Sequence, residues 1–131
     1  MRVIQDPRTL LAHWVYTREE WRFFEQWKLR RKGVLAYWLS RIRGRRVLDM
    51  PEITVTGQRV WINDQVEIFA DETRKLRRVH LRETDVLHVL EIIYELMGQN
   101  ASRMRMIQIP VPRGKLREAI DVQECLSGNA F

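Results

Sequence analysis

The spacing of apolar residues changes at Pro51, and that change constrains this chain more than any other feature. Before it, Trp21, Phe24, Trp27, Leu35, Trp38, Leu39 and Ile42 recur three and four residues apart, as on one face of a helix. After it, Ile53 and Val55 alternate with Thr54 and Thr56, as on a pleated strand. A chain with one such switch folds as a helical segment followed by a pleated body. With 131 residues, it can bury a core without disulfides or metal.

The helix has a legible start. Thr17-Arg18-Glu19-Glu20 spells a capping box, and Tyr16 and Trp21 occupy the two positions of a hydrophobic staple. The pattern predicts a helix over about 17–43, with Gly33 as a bend, Gly44 as a stop and Pro51 barring continuation. Gly57-Gln58 is then a two-residue turn that sets Val55 opposite Val60 and Ile53 opposite Ile62. For the next hairpin, a two-residue turn at Asn63-Asp64 would set Val60 opposite Glu67. A three-residue loop, 63–65, keeps one face apolar by setting Ile62 opposite Val66 and Val60 opposite Ile68, and is the expected register.

Residues 74–82 read as a strand with Val79 and Leu81 inward. The stretch 86–96 fits a strand, with Val86, His88, Leu90, Ile92, Tyr94 and Leu96 on one face. It also fits a helix capped by Thr84 and ended by Gly98. Ile92-Ile93-Tyr94 favours the strand. A further strand over 103–111 turns Ile107 and Ile109 one way, with Pro110 and Pro112 ending it or placing it at an edge. Residues 115–126 close the chain as a helix with Leu116, Ala119, Ile120 and Gln123 on one side. The expected fold is therefore α+β: an N-terminal basic helix, an antiparallel bent β-roll or partial barrel of about six strands, and a C-terminal amphipathic helix over about 114–126. The expected domains are 1–46, carrying the helix, and 51–131, carrying the roll.

Charge is distributed unevenly. Between Glu25 and Asp49 there is no acidic residue, while Lys28, Arg30, Arg31, Lys32, Arg41, Arg43, Arg45 and Arg46 lie in that gap. The chain has 23 Lys and Arg against 17 Asp and Glu; without these eight cations, 15 face 17 and the excess is gone. A local cationic stretch attracts phosphate backbones, lipid headgroups or acidic proteins. Trp21, Trp27, Tyr37 and Trp38 lie within or beside it and are the candidate aromatic contacts.

The chemistry-bearing residues form no recognisable catalytic set. His80 and His88 could be cross-strand neighbours, but the apolar pattern turns His80 away from the face of Leu81, and no third metal ligand lies nearby. Cys125, the only cysteine, reads as a small residue on a helix face and is compatible with a reducing compartment. Glu91 and Glu95 read as a solvated pair about 13 Å apart on a strand, too far for joint acid–base work. Met104 and Met106 read as gap fillers or edge residues, and no phosphate-binding glycine motif occurs. No secretory signal or run of about 20 apolar residues is visible. The expectation is a cytoplasmic protein, at most peripheral to a membrane, with no catalytic residue, metal site or cofactor.

Residues 52–126 resemble the bacterial pleckstrin-homology-like domains, bent β-rolls closed by a C-terminal helix that usually have seven strands. The matching parts are the hairpin from Ile53 to Trp61, Leu76-Arg77-Arg78-Val79, and Ile107-Gln108-Ile109-Pro110-Val111-Pro112-Arg113-Gly114 leading into Glu118-Ala119. Upstream, Tyr16-Thr17 followed by Glu20-Trp21 and Phe24 is similar to a segment that, in some of those proteins, precedes two transmembrane helices, which are missing here. The resemblance implies a non-enzymatic binding or scaffolding module. Three partners are compatible with the basic segment: an anionic membrane surface, an acidic protein, or nucleic acid gripped through its phosphates. No recognition helix or RNA-binding signature supports the last of these. A structural subunit that pairs with a second copy through the N-terminal helix is a further alternative.

Overall fold

A computed structural model describes residues 10–32, 51–84, 87–98 and 101–128, with residues 28–32 described as helix without their side chains. The elements are β1 (Leu10–Val15), α1 (Arg18–Lys32), β2 (Glu52–Thr56), β3 (Arg59–Ile62), β4 (Gln65–Ile68), β5 (Arg74–Glu83), β6 (His88–Met97), β7 (Ser102–Pro110) and α2 (Leu116–Ser127). The fold is α+β. Its strands form two antiparallel sheets, ordered β1-β2-β3-β4 and β5-β6-β7, without a closed barrel. The strands number seven rather than six. The addition is β1, whose apolar residues alternate with exposed ones: Ala12 and Trp14 are buried, while His13 and Val15 are exposed. The Trp14 indole N–H also reaches Glu118 on α2 at 3.4 Å.

The chain divides into two compact units, 15–52 and the remainder. In the first, the capping box forms as spelled. The Thr17 N–H donates to the Glu20 carboxylate at 3.0 Å, and the Glu20 N–H to the Thr17 hydroxyl at 3.1 Å. Tyr16 and Trp21 close the staple edge to face, with ring centroids 5.2 Å apart. The helix is described to Lys32; the expected continuation to 43, with the Gly33 bend and Gly44 stop, lies outside the described residues.

In the second unit the first hairpin has the expected register, with Ile53 opposite Ile62 and Val55 opposite Val60. The second does not. The turn is Asn63-Asp64 alone, which sets Ile62 opposite Gln65, Trp61 opposite Val66 and Val60 opposite Glu67. Two causes, one local and one distant in sequence, oppose the apolar-face expectation. Asn63 adopts the left-handed conformation, with φ 57, which asparagine tolerates in tight hairpin turns. Glu67, placed on the inner face, accepts a hydrogen bond from the Tyr94 hydroxyl at 2.9 Å. Val66 and Trp61 turn outward together, and Phe69, just past β4, takes the buried place.

The three-stranded sheet follows the strand reading of 86–96 over its described residues; Val86 lies outside them. Inward rows run Leu81–Leu90–Ile109 and Val79–Ile92–Ile107. Leu90, Ile92, Ile107 and Ile109 are buried, and β7 ends at Pro110 as its prolines required. The strand register does not make the two histidines cross-strand neighbours: Glu83 faces His88, and His80 faces Glu91. The C-terminal helix is rotated from the expected face. Ala119, Val122 and Leu126 are buried, whereas Leu116 and Ile120 are exposed. Gln123 nonetheless points inward, where its side-chain carbonyl accepts the Leu81 N–H at 2.9 Å.

Two predictions follow from the second hairpin. Asn63→Ala should lower stability by about 1 kcal/mol and Asn63→Gly should leave it nearly unchanged, measured by urea unfolding, because only alanine resists the left-handed backbone. Burial, then the Glu67 carboxylate, pushes the Tyr94 hydroxyl from its ordinary 10.0 up to about 12. The bond therefore contributes fully below pH 10 and is lost as pH rises toward 12. Tyr94→Phe should cost about 1 kcal/mol at pH 8 and unfold with a shallower decline across that window. Some decline should remain, because burial also raises Tyr16.

Candidate functional site

The expected anion-binding residues divide between helix and undescribed chain. Lys28, Arg30, Arg31 and Lys32 follow the last turns of α1, their side chains outside the described residues; Arg41, Arg43, Arg45 and Arg46, with Tyr37 and Trp38, lie wholly outside them. Of the candidate aromatic contacts, Trp21 and Trp27 lie on the described part of α1. Trp21, Phe24 and Trp27 are three residues apart, so they stand one above another on the helix. Their ring centroids are 5.7 and 6.1 Å apart in succession, which extends the Tyr16 staple into a four-ring ladder. Trp21 also donates its indole N–H to Glu25 at 2.8 Å. Phe24 is buried, Trp21 and Trp27 are half-buried, and Phe23 is 46% exposed beside exposed Arg22.

The face of the three-stranded sheet opposite its Leu90 and Ile92 rows contains a second polar constellation. His80, Glu91 and Gln108 form one cross-strand row. Glu91 is only 3% exposed, which corrects its reading as a solvated carboxylate. Gln108 donates its amide to Glu91 at 3.0 Å, His80 Nε2 lies 3.1 Å from the other carboxylate oxygen, and Arg82 stands at 3.6 Å. His80 Nδ1 is buried without a hydrogen-bond partner among the described residues, and Nε2 is the ring nitrogen that faces the carboxylate. Both carboxylate oxygens are engaged, and the row staples three strands. It offers a reacting molecule no open carboxylate. Glu95 is held separately: the Ser102 hydroxyl and then Arg77 keep its carboxyl below the usual range. His88 lies 3.9 Å from Glu83, so the two histidines have different carboxylate neighbours. Cys125 is half-buried, and burial pushes its thiol up, away from the reactive thiolate.

A cationic strand was missed by the net-charge arithmetic. Residues 96–117 also contain no acid, and they carry Arg103, Arg105, Arg113, Lys115 and Arg117. Acids elsewhere in the chain cancel them in the sum. Counting acid-free runs, rather than net charge, would have found them. On β7, Arg103 and Arg105 alternate with Met104 and Met106, and every residue from Ala101 to Met106 is exposed.

Among the described residues no helix is long and apolar enough to cross a membrane, and no group of three His, Cys, Asp or Glu side chains could hold a metal ion. Searches against family models, curated proteins and solved structures find no match. The Glu91 row has a measurable structural weight. Glu91→Ala should cost about 3 kcal/mol by strandling two donors and a guanidinium around an emptied site. Glu91→Gln should cost less, as read from urea midpoints.

Proposed function

We propose that this chain is a non-enzymatic binding module, a β-roll of the pleckstrin-homology-like kind that associates with an anionic membrane surface through its basic segment, 28–46. The observation that carries the reading is the aromatic ladder of α1. Its half-buried Trp21 and Trp27, with exposed Phe23, lead directly into the acid-free cationic run. Indoles and long cationic side chains together favour the boundary between lipid headgroups and acyl chains. Each cation near an anionic leaflet contributes about 1 kcal/mol, so half of the eight would hold the chain at such a surface. The antiparallel strands β2 to β7, followed by a terminal helix, support the likeness over residues 52–126. The engagement of Glu91 by Gln108, His80 and Arg82 supports a structural rather than a catalytic use of the polar row.

The test is co-sedimentation with vesicles. The protein should pellet with phosphatidylserine-containing vesicles at low salt, remain in solution with phosphatidylcholine alone, and be released as salt rises. Charge reversal of Arg30, Arg31, Lys32 and Arg43 should abolish pelleting. Failure to pellet at low salt, or equal pelleting with both lipids, overturns the proposal.

A further inference from the structure

The three-stranded sheet has two edges, and they differ. At the β5 edge, Gln123 of α2 accepts the Leu81 N–H at 2.9 Å. At the β7 edge, no strand of the described residues is paired. Here five consecutive strand residues, Ser102 to Met106, are exposed on both faces, with Met104 at 58% and Met106 at 50%. An open edge of this kind presents backbone donors and acceptors to any extended chain.

Side chains select what can pair there. Neighbouring strands share faces, so a strand added to β7 places every second residue beside Arg103 and Arg105, and the residues between beside Met104 and Met106. The first set meets two guanidinium groups that have no carboxylate partner among the described residues. On that face their rows contain Leu96 and Tyr94 of β6, which cannot neutralise them. The second set meets two flexible thioethers, Met106 opposite half-buried Ile93 and Met104 opposite Glu95, whose carboxylate Ser102 and Arg77 already hold. The complementary chain alternates acidic and apolar residues.

A second copy of β7 fits poorly. An antiparallel pairing centred on Met104 sets Arg103 of one copy opposite Arg105 of the other, and one centred on Arg103 sets the two Arg103 side chains opposite each other. Like charges directly opposed across a ladder are destabilising. The arginines therefore disfavour self-pairing in the registers centred within 103–105 and favour an acidic strand there.

We infer that the exposed edge of β7, over residues 102–106, receives an extended acidic segment of a protein partner by strand addition. This surface belongs to a different part of the chain from the proposed membrane contact and stands or falls separately.

The probe is a fluorescent, end-capped heptapeptide alternating Glu and Val, added to the full chain at low salt. It should bind by anisotropy, slow hydrogen exchange of edge-facing amides among 102–106, and leave the β5 edge unchanged. A peptide with Lys for Glu should not bind. In the variant R103E/R105E, affinity for the acidic peptide should fall by about tenfold or more, and the Lys peptide should bind instead. Methylating the backbone nitrogens of only the Glu, or only the Val, residues should spare one peptide and abolish binding of the other, because alternate amides face the ladder. The inference is overturned if both methylated peptides bind as tightly as the parent, or if the acidic peptide binds without slowing exchange over 102–106. It is equally overturned if those amides become protected by raising protein concentration, which would put a second copy there, or by anionic vesicles, which would put lipid there.

Discussion

The hydroxyl of Tyr94 donates to Glu67 across the two sheets, and the arrangement of the second hairpin depends on that bond. A carboxylate on the inner face of an edge strand would ordinarily be too costly to keep. With Tyr94 as donor it is satisfied, and the tight Asn63-Asp64 turn becomes compatible with the core. The register then follows along β4, with Val66 turned outward beside Trp61 and Phe69 turned inward. Val60 and Ile53 on one sheet, with Leu90, Ile92 and Ile109 on the other, contribute fully buried apolar side chains.

The same economy governs the other face of the three-stranded sheet. Glu91 sits on the central strand, where neither edge offers it water. His80 and Gln108 come from the flanking strands at the same level, so the row is closed by neighbours that pairing already brings together. Satisfied polar rows of this kind favour one register over its neighbours, since a shift of two residues would bury the carboxylate without them. At the edges the electrostatics differ. On β7 the arginines lack such neighbours among the described residues, and the exposed alternation of charge with methionine makes that edge selective in what it can meet.

Local signals were legible where the cause is local. The capping box and staple placed the start of α1, and alternation placed the strands after Pro51, including the ambiguous stretch at 88–97. The prolines after Ile109 placed the end of β7 at an edge. Of the candidate site, the basic residues were evident from a single acid-free run, whereas the cations of β7 were hidden by cancellation in the net charge. The solvated reading of Glu91 failed because its partners are 11 residues before it and 17 after it, and only strand pairing brings them alongside.

By itself, the sequence determined the class of fold, the order of most elements and the place of the cationic run, because period, capping chemistry and charge act between near neighbours. The tertiary structure alone decided that Leu10–Val15 is a strand, that Glu67 meets the Tyr94 hydroxyl, that Glu91 is buried and that α2 buries Ala119, Val122 and Leu126. Each of these rests on groups distant in sequence that supply a hydrogen bond or an apolar surface, and no local pattern carries that information.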